Sequence, residues 1–353
     1  MGSMIKFEVA NATWTEDKVW FVAKQFNGLF CMDRATTEIS MKTLFPNEKY
    51  GQENLFLYMI LIDKRIYCIP YMAKTIAVYN IEEGKFDSIS IDRERVSCKE
   101  ESGLFATAIR KGNYLFIFPA FGKAIVRLDI NTYELVYITE WIEKIERSGY
   151  NENDVFFYRQ CVINDNKIVI PFCNADAVLE LDCDSLKTEI HQLSNAQTGY
   201  SGITSDGKDF WMSARGFGDL VRWNQHTKEF ERISLYKGTS SEVCPNYIGV
   251  VCLYGVKTVF SLVDFDEREE QKIENTIIKK GKYLFVKETE DSVAYYAIDK
   301  GELEIVSKTN KSSFNTMIRI DEECIDIKRV FNENLIIQEK TEFGLHRMLM
   351  ELK

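Results

Sequence analysis

Between Phe105 and Tyr137 the chain reads FATAIRKGNYLFIFPAFGKAIVRLDINTYELVY. Short apolar runs alternate with polar breaks, the pattern of strands bounded by turns. A first strand meets a Lys-Gly-Asn turn, a second ends on Pro119, a Phe-Gly-Lys loop follows, a third closes on Leu128-Asp129, and a fourth completes the unit. The same plan begins at Lys18 (KVWFVAKQFNGLFCMDRATTEI), Tyr58 (YMILIDKRIYCIPYMAKTIAVYNIEEGKF), Tyr158 (YRQCVINDNKIVIPFCNADAVLELDCDSLKT) and Ser201 (SGITSDGKDFWMSARGFGDLVRWNQHTKEF). Each third strand ends on an apolar residue followed by Asp or Asn: Met32-Asp33, Tyr79-Asn80, Leu128-Asp129, Leu181-Asp182 and Trp223-Asn224. Second strands end on Pro70, Pro119 and Pro171, where the missing amide donor suits a strand terminus.

Four-stranded units repeated every forty to fifty residues or so are the signature of an all-β propeller, whose blades bury their faces only against neighbours. The 353 residues fit a single domain over 4–353 with seven blades, six being the alternative. Strand patterns at both termini suggest a ring closed by pairing the N- and C-terminal strands, which removes an open edge. Asn27-Gly28 reads as a two-residue hairpin turn, and Glu140 to Ser148 as a short helix capping an inter-blade groove. Regularity weakens after Tyr247 to Asp264. The stretch 265–280, FDEREEQKIENTIIKK, is a charged insertion expected as a solvated helix or mobile loop. Strand patterns resume at Lys282 to Lys287, Ser292 to Asp299 and Glu302 to Ser307, then at Cys324 to Val330, Asn334 to Lys340 and Leu345 to Glu351. Met1-Gly2-Ser3 ahead of Met4 reads as a cloning remnant.

A hydrophobic content of 45% with 13% aromatics supplies a large core. The net charge of −10 argues against a nucleic-acid partner, since phosphate binding needs clustered Lys and Arg. No apolar run approaches the roughly 18 residues of a membrane span. No basic-then-apolar start marks a secretory signal, so a cytoplasmic, monomeric protein is expected. The nine cysteines lack CxxC spacing, so they read as buried thiols in a reducing compartment.

In a four-stranded blade, the loops between second and third strands and the links into each first strand open on one end of the ring. The expected mouth therefore gathers Lys74, Lys123, Asn174, Asp176, Arg215 and Asp219 from the loops. On the incoming strands Phe56, Phe105, Phe157 and Tyr200 occupy equivalent positions, followed two residues later by Tyr58, Thr107, Arg159 and Gly202. Lys74, Lys123, Arg159 and Arg215 around one mouth would focus potential on an anion, and Arg grips carboxylate or phosphate with two bonds. The phenylalanines read as inter-blade core, while Tyr58, Tyr200 and Tyr247 are candidates for the channel lining. Gly199, Gly202 and Gly249 either admit a ligand close to the backbone or relieve crowding at the axis.

The units VRLDINTYEL, LELDCDSLKT and VRWNQHTKEF resemble bacterial propellers of the NHL, kelch-like and streptogramin-lyase kinds. The resemblance implies ring architecture. Streptogramin-type lyases act through histidines and a glutamate with a bound divalent metal, whereas His191, His226 and His346 do not match that constellation, and the kelch double glycine is absent. No cofactor or metal site is expected.

Three functional readings follow. In the first, a mouth of cations and aromatics, with Lys74, Lys123, Arg159, Arg215, Tyr58, Tyr200, Tyr247 and Asn174 as ligand contacts, captures an anionic small molecule, a glycan or an acidic peptide. In the second, a metal-independent lyase or hydrolase works there with Asp176, Asp219 or Asp266 as base and Arg159, Arg215 or Tyr200 stabilising an anion. In the third, the ring is a protein-interaction scaffold.

Overall fold

The computed structural model describes residues 9–15, 17–23, 27–33, 39–49, 51–96, 103–146, 156–157, 160–193, 199–205, 208–214 and 219–234, with strands at 272–273, 276–277, 283–288, 292–297 and 302–307. Val9–Trp14 (β1), Lys18–Ala23 (β2), Leu29–Asp33 (β3) and Ile39–Thr43 (β4) form the first four-stranded sheet. Phe56–Ile62 (β5), Arg65–Pro70 (β6), Thr75–Asn80 (β7) and Lys85–Ser90 (β8) form the second, followed by the one-turn helix Arg93–Val96 (α1). Phe105–Lys111 (β9), Tyr114–Pro119 (β10), Ile125–Asp129 (β11) and Leu135–Ile138 (β12) make the third, and Trp141–Glu146 (α2) follows. Val162–Asn164 (β13), Lys167–Pro171 (β14), Ala177–Asp182 (β15) and Thr188–Gln192 (β16) make the fourth. Tyr200–Ser205 (β17), Phe210–Ala214 (β18), Asp219–Trp223 (β19) and Phe230–Ser234 (β20) make the fifth. Each sheet is an antiparallel meander in chain order.

Sequence pattern and position in the sheet agree. The second strands β6, β10 and β14 are buried almost throughout, as their continuous apolar runs require when both faces are covered. The outermost β8, KFDSIS, is mostly exposed, and its polar residues show why it ends the sheet. Consecutive sheets pack face to face. One core cluster joins sheets one and two (Trp20, Leu29, Phe56, Cys68), the next joins two and three (Ile69, Val78, Phe105, Leu115), the third joins three and four (Phe116, Phe118, Ile168, Leu179), and the fourth joins four and five (Val169, Val178, Met212, Val221). Helix α2 contributes Trp141, fully buried, to the cluster between sheets three and four, where its ring packs against Phe156 and Phe157.

The recurring Asp or Asn at the end of the third strand has a local cause in sheets two to five. Its side-chain oxygen accepts two backbone N–H bonds in the turn to the fourth strand: Asn80 from Glu82 and Glu83, Asp129 from Asn131 and Thr132, Asp182 from Asp184 and Ser185, and Asn224 from His226 and Thr227. Four residues after that oxygen the chain turns left-handed, at Gly84, Tyr133, Leu186 and Lys228, with φ between 60° and 66°. Only the first is glycine. The other three reach toward the preceding sheet: the Tyr133 hydroxyl lies between Arg65 and Asp87, Leu186 packs into the cluster shared by sheets three and four, and the Lys228 ammonium lies 3.4 Å from His191 Nδ1.

Two local expectations are corrected. Asn27-Gly28 is not a two-residue turn: β2 ends at Ala23, Val22 pairs with Leu29, and Asn27 is buried. Its amide accepts from Phe45 N and donates to the carbonyls of Phe45 and Glu48, so it pins the link into the second sheet. Within 265–280 the described residues are Lys272–Ile273 (β21) and Thr276–Ile277 (β22), which pair antiparallel where a solvated helix or mobile loop was expected. Tyr283–Glu288 (β23), Ser292–Ala297 (β24) and Glu302–Ser307 (β25) form a three-stranded antiparallel sheet at the positions where the strand pattern resumes. The strand patterns after Cys324 lie outside the described residues, and so does the expected pairing of the chain's ends.

Asp129→Ala should lower stability by about 1 kcal/mol, since two turn amides lose their acceptor, whereas Asp129→Asn should stay within about 0.5 kcal/mol. Urea unfolding of both variants beside the wild type checks this; equal losses would show that the cap is not the source.

Candidate functional site

One end of the sheets is tied together by backbone hydrogen bonds that pass from loop to loop. Leu55 O accepts from Tyr71 N at 2.8 Å, Tyr71 O from Leu104 N at 2.8 Å, Leu104 O from Ala120 N at 2.9 Å, and Ala120 O from Phe156 N at 3.0 Å. The relay continues through Phe156 O to Cys173 N at 2.7 Å and, one residue earlier in that loop, through Phe172 O to Tyr200 N at 2.8 Å. The loops between second and third strands therefore interlock with the links entering each first strand, and both lie at the same end.

Lys74 and Lys123 stand in this end. Lys74 is exposed; its amide donates to Glu48 Oε1 and its ammonium to Asn47 O. Lys123 is half-buried, with its amide on Val96 O. The sequence reading missed a third cation. Arg93, on α1, donates from its guanidinium to Ala73 O at 3.0 Å, so α1 is bonded on one side to the loop carrying Lys74 and on the other to the loop carrying Lys123. A one-turn helix has no periodic signature, so nothing in the sequence placed Arg93 between the two lysines. Asn174 is half-buried in the corresponding loop of the fourth sheet. Arg159, Arg215, Tyr247 and Asp266 lie outside the described residues. Asp219 opens β19.

Asp176 and Tyr200 come together. Both are fully buried, and the Tyr200 hydroxyl donates to Asp176 Oδ1. Burial and then the neighbouring carboxylate push the phenol pKa upward. Tyr200 occupies the position held by Phe56, Phe105 and Phe157 in the preceding sheets: these residues face Ala214, Pro70, Pro119 and Phe172 respectively across the first ladder. A phenol at an otherwise apolar position needs an acceptor, and Asp176 supplies it. The pair locks sheet five to sheet four, and its enclosure keeps it from the open end. Gly199 relieves crowding, because a Cβ there would lie 1.5 Å from the Cys173 carbonyl oxygen.

A different charged group fills the seam between sheets four and five. Glu180, whose side chain is 6% exposed, is ion-paired with Lys167, and its Oε2 lies 3.8 Å from His191 Nε2. The His191 ring lies 5.2 Å from that of Trp223. His191, then Lys167, hold the Glu180 carboxyl ionised against burial, lowering its pKa from 4.5 to about 2. Glu180, Glu189 and His191 are a metal-type donor set with ligand atoms within 4.8 Å of one another. Lys167 already supplies Glu180 with a positive charge, and Lys228 crowds His191 Nδ1.

By sequence, no family profile and no curated protein matches the chain. By structure it is similar to a streptogramin B lyase, with TM-score 0.57 and 14% identity over 88% of this chain and 86% of that one. The fold is a β-propeller. Virginiamycin B lyase from Staphylococcus aureus is similar to the same degree, with TM-score 0.58, 11% identity and coverage of 88% and 87%. The protein U3-55K gives TM-score 0.56 and 10% identity over 87% of this chain and 82% of that one. At such identities the likeness shows the fold alone.

Tyr200→Phe should cost about 1–3 kcal/mol by taking a partner from the buried Asp176 carboxylate; an unchanged urea midpoint would show that the bond contributes nothing. For Glu180 the folded pKa is depressed, so its stabilisation is complete above 4.5 and disappears as pH falls through about 2. Glu180→Gln should therefore be less stable than wild type at neutral pH, with the difference shrinking between those two values; a gap independent of pH would exclude the ion pair as its source.

Proposed function

We propose that this β-propeller is a ligand-capture module whose open end binds an anionic small molecule, a glycan bearing acidic groups, or an acidic peptide. The observation that carries the reading is the convergence of Lys74, Arg93 and Lys123 on segments bonded to one another through Ala73 and Val96. None of the three forms an ion pair with another described residue, in a chain whose net charge is −10. Cations gathered on neighbouring segments raise the local potential where a ligand arrives. In this reading Arg159 and Arg215, with Asn174, Tyr58 and Tyr247, extend the mouth around seven blades while the enclosed Tyr200 stays in its wall, and terminal strands close the ring of one domain spanning 4–353.

The metal-independent lyase or hydrolase reading has one observation in its favour, the hydrogen bond between Asp176 and Tyr200. Because both are enclosed, capture without chemical change is the preferred reading. A protein-interaction scaffold is the third. The five described cysteines are free, as a reducing compartment would leave them, and a cytoplasmic monomer belongs to this reading.

Citrate, inorganic phosphate, glucuronic acid and a hexaglutamate peptide are suitable probes for thermal-shift measurement followed by calorimetry. At least one should raise the melting temperature of the wild type, and Lys74→Ala/Arg93→Ala/Lys123→Ala should weaken its binding on the order of tenfold or more. Recovery of a chemically altered probe would favour the enzyme. Equal binding by wild type and triple variant would remove these cations from the site.

A further inference from the structure

The first strands of sheets one, two, three and five carry the same irregularity. An extra residue separates Val9 from Asn11, Phe56 from Tyr58, Phe105 from Thr107, and Tyr200 from Gly202, while their partners on the second strand are consecutive: Ala23 and Val22, Pro70 and Ile69, Pro119 and Phe118, Ala214 and Ser213. A bulge of this kind re-aims the side chain that follows it. The effect is visible in the second sheet. Phe56 enters the core shared with sheet one, whereas Tyr58 packs against the core shared with sheet three. In the fourth sheet Val162 pairs with Val169, and counting back along that register brings Gln160 level with Pro171, the row of Thr107 opposite Phe118. Gln160 therefore holds the position that the sequence comparison gave to Arg159.

These re-aimed side chains bridge first strands near the axis. The Tyr58 phenol lies beside the Thr107 side chain of the third sheet, and Gln160 Oε1 accepts from Ile203 N of the fifth at 3.2 Å. Tyr58 is half-buried, yet burial followed by the nearby Cys161 pushes its pKa upward, so its phenol lies deep among neighbours and approaches the fourth sheet as well. Cys161, half-buried, stands one residue farther from the open end than Gln160.

We infer that Tyr58, Thr107 and Gln160 form a floor across the described arc of the axial channel, one step below the mouth, with Tyr58 as its principal plug. The mouth is then a blind cup that takes a compact anion, citrate-like in size, and stops an extended acidic chain from threading the ring. The choice of ligand class rests on the binding reading above, while the floor itself does not.

The test uses the full chain and the rate at which iodoacetamide labels Cys161, followed by peptide mass mapping. Labelling should be slow in the wild type, faster on the order of tenfold in Tyr58→Ala, and within about twofold of wild type in Tyr58→Phe, which keeps the ring. Equal rates in wild type and Tyr58→Ala overturn the floor. The buried thiols of Cys68 and Cys173 serve as internal references. Should they also accelerate, the sheets have loosened, and Gln160→Ala replaces Tyr58→Ala as the deciding variant under the same criterion. Hexaglutamate should bind Tyr58→Ala more tightly than wild type while citrate does not; an equal gain for both probes, or for neither, overturns the exclusion of chains. If no anion binds the wild type, the binding reading and the ligand class fall together, and the Cys161 rates still decide the floor.

Discussion

The relay of backbone hydrogen bonds from Leu55 through Tyr71, Leu104, Ala120 and Phe156 to the loop at Cys173 is the constraint on which the arrangement depends. Face-to-face burial of apolar strands presses successive blades together but is non-directional, and permits sliding. A bond between main-chain atoms of adjacent blades does not. It fixes the height of each blade relative to the next, because every donor and acceptor enclosed there must find its partner. The loops that carry Lys74 and Lys123 inherit that fixed height, and Arg93 reaches the first of them with its guanidinium on Ala73 O.

The propeller was legible in the chain because its cause is local and repeated. Alternating apolar runs and turns gave the four-stranded units, and the Asp or Asn after each third strand gave their phase, for which the paired turn amides on Asp129 and Asp182 supply the reason. The equivalence of Phe56, Phe105, Phe157 and Tyr200 was readable for the same reason. Spacing failed where one residue more or less changes the partner. In the fourth blade Phe157 faces Phe172 and Val162 faces Val169, so two residues separate Phe157 from Gln160 where one separates Phe105 from Thr107, and the row passes from Arg159 to Gln160. Asn27-Gly28 misled because its composition suits a tight turn, whereas burial recruits Asn27 to hold the link at Phe45.

The mouth was less legible than the blades. Lys74 and Lys123 followed from register, but Arg93 sits on a link whose course depends on what it packs against. Asp176 and Tyr200, conspicuous as a carboxylate and a phenol near the open end, satisfy each other inside the wall. Reading side chains by type alone cannot distinguish a group held ready for a ligand from one that completes an interior, since both are polar residues at the same height. Enclosure makes the distinction, and enclosure belongs to neighbours distant in the chain.

At the opposite end, the left-handed residues after the turn caps have a directional consequence. Tyr133 belongs to the third blade and fastens to the second, and Lys228 belongs to the fifth and touches the fourth. These clasps point toward the amino terminus, so the third, fourth and fifth blades arrive carrying the means of docking onto one already made. A polypeptide emerging from the ribosome can thus add its blades in order, each completed meander finding a finished surface waiting behind it.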